Sequence, residues 1–255
     1  MSLPNLLLTA VAIASISGSA AANAESGPVR NVVLVHGAFA DGSGWKPVAD
    51  LLRADGFEVS IVQQPMTSVA DDVAATIRIL DMQSGPAVLV GHSYGGAVIT
   101  EAGNSDKVKA LVYVAAFAPA VGQSINAIVG AAPEPPPWQG ELHADATGWL
   151  TWSAAGMAQY FAPDLSPEQA AVLAAVQSPL FSGAFDGQVT KTAYSDKPSW
   201  YVIADNDQVI PPALQQMFAD SIGATAVHVA SSHVAMLSQP QVVADAIIAA
   251  VEGVR

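Results

Sequence analysis

The 255-residue chain contains no cysteine. Disulfides, thiolate metal sites, a cysteine nucleophile and a lipid-modified cysteine are excluded, and redox chemistry says nothing of the compartment. Charge is scarce: Asp, Glu, Lys and Arg make up 12% of the residues. The balance is acidic, 22 Asp and Glu against 9 Lys and Arg, with a formal net charge of −13. Such a chain is a poor partner for nucleic acid or an anionic membrane surface and suits neutral substrates. Past the amino terminus no apolar run approaches the length of a membrane span. Hydrophobic residues reach 51%, so a large core is available, and the length fits one domain with or without an insertion.

The amino terminus carries an apolar run, Leu6 to Ala14, then small residues ending in Ala22-Asn23-Ala24, an A-x-A cleavage pattern. The expectation is a signal peptide over 1–24, a secreted or periplasmic mature protein, and no stable membrane insertion. No Lys or Arg precedes the run, so the positive part of a standard signal is missing. The alternative is a disordered or membrane-associated start and a cytoplasmic protein.

Short β-branched runs alternate with amphipathic segments. Val29–His36, Phe57–Val62, Ala87–Val90 and Val108–Ala116 read as strands, with helices at Trp45–Ala54, Val69–Met82 and Ala97–Ala102 between them. The pattern resumes with strands at Trp200–Ile203 and Ala226–Val229 and helices opening at Pro211 and Pro240. It predicts an α/β fold: a mostly parallel sheet with helices on both faces. The stretch 119–196 has no strand-like run but many prolines and large apolar residues, and it reads as a helical lid inserted into a core of 25–118 and 197–255. Helices are expected there at about 146–160 and 166–176.

One motif stands between a strand and a helix: Gly91-His92-Ser93-Tyr94-Gly95-Gly96. Gly-x-Ser-x-Gly on a strand–turn–helix is the nucleophile-elbow pattern. Gly91 and Gly95 remove the Cβ atoms that would clash in so sharp a turn, and Ser93 sits at its apex. A serine hydroxyl needs a base, and the base needs an acid to fix its tautomer. In an open parallel sheet both belong just beyond the carboxyl ends of strands. His233, in Ser231-Ser232-His233, meets that condition; His228 lies inside a strand, His143 in the insertion, His92 beside the elbow pointing away from its apex, and His36 beside a glycine-rich loop. Asp205 and Asp207 both follow the Trp200–Ile203 strand, and Asp207, deeper in the loop, is favoured. The oxyanion of a tetrahedral intermediate needs two N–H donors. The backbone of Tyr94 supplies one, and the loop after the first strand supplies the other, from Ala38 with Phe39 next.

With these motifs in place the chain, from Val29 to its end, resembles the α/β-hydrolase superfamily. Val35-His36-Gly37-Ala38, the elbow, Asp207-Gln208-Val209-Ile210-Pro211 and Ser232-His233 fall where that family's motifs fall. The layout is most similar to small bacterial esterase-type members and to the plant methylesterase and hydroxynitrile lyase branch. The resemblance implies a cofactor-free, metal-free ester hydrolase with a small-molecule substrate; it leaves the oligomeric state open. The lyases carry a threonine after the first-strand histidine and a lysine after the base. Here those positions are Gly37 and Val234, so cyanohydrin cleavage is not expected. Perhydrolysis at the same site, or a homologue that only binds ligand, are the alternatives. In the lid, Trp138, Trp149 and Trp152 either line a pocket for an apolar or aryl group or hold the lid to the core.

Overall fold

The computed structural model describes residues 27–255; the expected signal segment, 1–24, lies outside the described residues. The central sheet is built from β1 (Asn31–Val35), β2 (Glu58–Val62), β3 (Ala87–His92), β4 (Val108–Val114), β8 (Ser199–Ala204) and β9 (Thr225–Val229). Its order is β2-β1-β3-β4-β8-β9, and every pairing is parallel. Along β1 and β3 every residue is buried, at odd and even positions alike, so both faces of the sheet are covered.

The covering helices are α1 (Lys46–Ala54), α2 (Val69–Asp81), α3 (Gly95–Ala102), α7 (Pro212–Ser221) and α9 (Pro240–Glu252). They start where the sequence allows it. Ser68 caps α2 by accepting from the Asp71 N–H at 3.1 Å, and Pro47 and Pro240 fill first-turn positions that need no donor. Helix α1 packs on α9, and α2 on α3. The expected fold class is therefore the observed one.

The inserted stretch departs from expectation. It does contain strands: β5 (Leu142–Ala144), β6 (Trp149–Trp152) and β7 (Leu180–Phe181) form a three-stranded antiparallel sheet. The helix expected at about 146–160 is replaced by β6, a short α5 (Ala154–Gly156) and one π-helical turn, Met157–Phe161. The reason is local. Asp145 Oδ1 accepts from the N–H groups of Thr147 and Trp149, and the Asp145 N–H donates to Trp149 O at 2.8 Å, closing a hairpin. Gly148 takes φ +89° within it, which a side chain would resist. Trp149-Leu150-Thr151-Trp152 is aromatic and β-branched, favouring a strand once a partner is present. Helix α6 (Pro167–Val176) forms as expected, with a capping box between Ser166 and Gln169. Two helices were not foreseen, α4 (Ile125–Gly130) and α8 (Ala235–Ser238).

Candidate active site

Ser93 lies between β3 and α3 with φ +52°, in the left-handed region that a non-glycine residue occupies at a cost of about 1–2 kcal/mol. The backbone holds it there. Its N–H donates to Val114 O, and its carbonyl accepts from the N–H groups of Gly96 (2.9 Å) and Phe117 (3.1 Å). A Cβ at Gly91 would stand 2.6 Å from the Gly95 carbonyl oxygen, which explains the first glycine of the motif. Across from Ser93, a Cβ at Gly37 would stand 2.8 Å from Ser93 Cβ, so the loop after β1 lies directly against the serine.

That loop is fixed from behind. His36 donates from Nδ1 to Gly37 O at 2.9 Å, and its Nε2 accepts from the Gln64 N–H at 3.3 Å. Burial holds the His36 pKa below its usual value, consistent with a neutral structural ring. Phe39 takes φ +60°. Among the described residues, neither the Ala38 nor the Tyr94 N–H has a hydrogen-bond acceptor; both residues line one cavity with Ser93. The Tyr94 side chain points elsewhere: its hydroxyl donates at 2.6 Å to Asp72 Oδ2, while Asp72 Oδ1 accepts from the Met66 N–H at 2.9 Å. Asp72 is fully buried, and desolvation pushes its carboxyl up to about 6 from an ordinary 3.8.

His233 follows β9, and Asp207 follows β8. His233 Nδ1 donates to Asp207 Oδ2 at 2.7 Å, with both side chains wholly out of solvent. The remaining Asp207 lone pairs are filled. Oδ1 accepts from the N–H groups of Val209 (2.7 Å) and Ile210 (3.0 Å), and Oδ2 also accepts from Gln215 Nε2 at 2.8 Å. Asp205 instead turns to the surface, paired with the exposed His228 at 2.6 Å. With Nδ1 committed as a donor, His233 Nε2 is the unprotonated ring nitrogen, and it has no hydrogen-bond partner among the described residues. The His233 ring packs on Phe161, centroids 4.9 Å apart, and Phe161 lines the same cavity as Ser93.

Three positioning contacts escaped the sequence reading. His92, next to Ser93, donates from Nε2 to the His233 carbonyl at 2.8 Å, and their rings lie 4.7 Å apart. Burial, then the neighbouring imidazole, pushes the His92 pKa well down, so it stays neutral. Gln215 on α7 bridges Asp207, the Ile210 carbonyl and the Ala204 N–H. Asp164, in the insertion, accepts from the Ser232 N–H at 2.8 Å and from the Ser232 hydroxyl.

The cavity above Ser93 holds about 320 Å³. Phe39, Trp138 and Trp152 line it; Trp149 does not. Strand β6 is the cause. Its alternation turns Leu150 and Trp152 into the cavity and Trp149 and Thr151 to the opposite, open side. On a helix, residues 149 and 152 would have shared a face. Trp149 packs edge-to-face against Phe181 there, with ring centroids 5.8 Å apart. Trp138 Nε1 donates to Val209 O at 3.3 Å, tying the insertion to the Asp207 loop.

Comparison with known proteins agrees with this architecture. The model of the alpha/beta hydrolase family matches residues 32–246. "Probable hydrolase R7" of a Phoma species is 28% identical over 208 residues, covering 75% of this chain and 83% of that protein. The "carbendazim hydrolyzing esterase" of a Nocardioides species is 34% identical over 115 residues, 40% of this chain and 48% of that protein. The crystal structure of polyneuridine aldehyde esterase superposes with a TM-score of 0.75 over 87% of this chain and 98% of its own, at 19% identity. At that identity the likeness is one of fold.

Proposed function

The chain belongs to the alpha/beta hydrolase family, and we propose from that premise that it is a serine hydrolase cleaving small, neutral carboxylic esters through an acyl-enzyme. Ser93 Oγ attacks the ester carbonyl. His233 Nε2 takes its proton and returns it to the leaving alcohol. Asp207 holds the imidazole in the Nδ1–H tautomer and stabilises the cation that forms. The N–H groups of Ala38 and Tyr94 receive the oxyanion. A water, activated by the same imidazole, then hydrolyses the acyl-enzyme. Phe39, Trp138 and Trp152 form apolar walls for the acyl or alcohol group, and no charged side chain lines the cavity.

One observation carries the reading: the buried, 2.7 Å Asp207–His233 hydrogen bond, which leaves Nε2 as the only free nitrogen of that ring. The names of the two sequence relatives, a hydrolase and an esterase, support the reaction class. Val234, buried and apolar beside His233, offers no charge for a cyanide leaving group. The test is labelling with a fluorophosphonate probe alongside hydrolysis of a short-chain aryl acetate. Wild type should label at Ser93 and turn over, and Ser93→Ala should do neither. A folded wild-type protein that neither labels nor turns over would make it a ligand-binding homologue instead. We also place the mature protein outside the cytoplasm, from the Ala22-Asn23-Ala24 pattern; an exported protein should begin at Glu25, and one retained with its Leu6–Ala14 run intact would refute this.

A further inference from the structure

The chain buries a carboxylate against the elbow without giving it a cation. Asp72, on α2, is fully buried and forms no ion pair among the described residues. Its two oxygens are divided between two segments. Oδ2 accepts from the Tyr94 hydroxyl at 2.6 Å, and Oδ1 from the Met66 N–H at 2.9 Å. Burial, then the Asp72 charge, raises the Tyr94 pKa, so the phenol stays the donor. A proton on Oδ2 would reverse that hydrogen bond and leave the phenol hydrogen without an acceptor, since Tyr94 Oη has no other partner among the described residues. A buried charge with no counter-ion works against folding, so its presence here points to a role that needs the charge.

Tyr94 connects that charge to the chemistry. Its side chain is buried, while the residue lines the cavity and its own N–H has no acceptor among the described residues. Three contacts fix it. Its carbonyl accepts from the Ala97 N–H at 3.0 Å, which is local to α3. Its ring packs edge-to-face on Phe185, centroids 6.0 Å apart, which is packing without a directed bond. Its hydroxyl on Asp72 is the directed bond to another element. Asp72 is itself held on the far side, because the Met66 carbonyl accepts from the Phe181 N–H of β7 at 2.9 Å. Of the titratable groups around it, Tyr94 and the exposed Asp71 of its own helix act on Asp72. Glu101 on α3 is turned to Thr190, Glu58 lies exposed at the start of β2, and β1 has none.

We infer that Asp72 is a positioning residue of the oxyanion site: its carboxylate, by holding the Tyr94 hydroxyl, sets where the Tyr94 N–H stands when the oxyanion forms. This rests on the reading of Tyr94 N–H as an oxyanion donor. An N–H aimed at the oxyanion acts in the transition state and not on bound ester, so its displacement lowers kcat and leaves KM alone.

The test follows hydrolysis of a short-chain aryl acetate by wild type, Asp72→Asn, Tyr94→Phe and the double variant. Each single variant should lose about tenfold in kcat with KM little changed, less than the roughly 10²–10³-fold lost when an oxyanion donor is removed outright. The double variant should lose no more than either single one. Multiplied losses would show that Asp72 does not act through Tyr94, and overturn the inference. A pH profile needs only wild type and Asp72→Asn. The Asp72 carboxyl titrates at about 6, and its protonated form presents the same reversed hydrogen bond as the amide. The ratio of wild type to Asp72→Asn in kcat/KM should therefore fall from about tenfold at about pH 8 toward one at about pH 5. Asp72 in a merely structural role would give a ratio flat with pH, which also overturns the inference. A flat ratio in an active wild type removes this inference alone; a folded wild type that neither turns over nor labels at Ser93 removes the hydrolase reading and this inference with it.

Discussion

His92 Nε2 donates to the backbone carbonyl of His233 at 2.8 Å, so the residue beside the proposed nucleophile holds the residue that serves it. The elbow and the histidine loop are 141 residues apart in the chain, and this hydrogen bond ties them at the point where their geometry matters. In His92→Phe the ring contact is kept and the donor is lost. The expected result is a roughly fivefold fall in kcat with little change in KM, since a net hydrogen bond of about 1 kcal/mol goes. Steady-state kinetics on a folded sample checks it; an unchanged kcat would show that the carbonyl needs no such tether.

Asp207 and Asp205 separate cleanly as a pair of variants. Asp207→Asn should keep the fold and lower kcat by about 10⁴, because the amide stabilises the wrong imidazole tautomer. Asp205→Asn touches only the exposed His228 pair, and it should change stability by no more than about 0.5 kcal/mol and leave turnover alone. Equal losses in the two would reassign the acid.

Asp72 gives a signed pH dependence. Its carboxyl titrates at about 6 in the folded protein against an ordinary 3.8, raised mainly by burial. Between those values the native state holds a proton that the unfolded chain has released. The contribution of Asp72 to stability therefore declines as pH rises from about 4 to 6, by up to about 3 kcal/mol. Chemical denaturation of wild type and Asp72→Asn across that window should give a difference that moves against wild type as pH rises. A difference flat with pH contradicts it.

Trp149 and Trp138 should behave oppositely toward an aryl ester. Trp149→Ala removes the edge-to-face contact with Phe181 outside the cavity, so thermal stability should fall while kcat/KM stays within twofold, about 0.4 kcal/mol. Trp138→Ala removes a cavity wall and its tie to Val209, and KM should rise severalfold. A matching KM effect at Trp149 would mean that β6 presents its other face to the substrate.

The doubly covered sheet and the elbow were legible because each rests on a local pattern: β-branched runs, caps and a glycine-flanked serine. The choice of Asp207 over Asp205 followed from depth in the loop, and the structure spreads the two between the interior and the surface. What was not legible came from contacts between distant segments. Residues 142–144 and 149–152 pair across the Asp145 turn and are joined from a distance by 180–181, and reading 146–160 as a helix placed Trp149 and Trp152 on one face. Gln215 did leave a signal. It shares the buried stripe of α7 with Phe218 and Ala219, and a polar residue on a core-facing stripe calls for a buried partner. Asp164 left none, since it follows the π-helical turn at an exposed position and acts through Ser231 and Ser232.

The Asp164–Ser232 contact and the Phe161–His233 packing mean that the covering segment is also the splint of His233, the proposed general base. Exchanging that segment for a homologue's, to retune which esters fit, would unfasten the imidazole along with the pocket roof. A chimera that keeps 161–164 and swaps only the hairpin upstream would change selectivity without that loss.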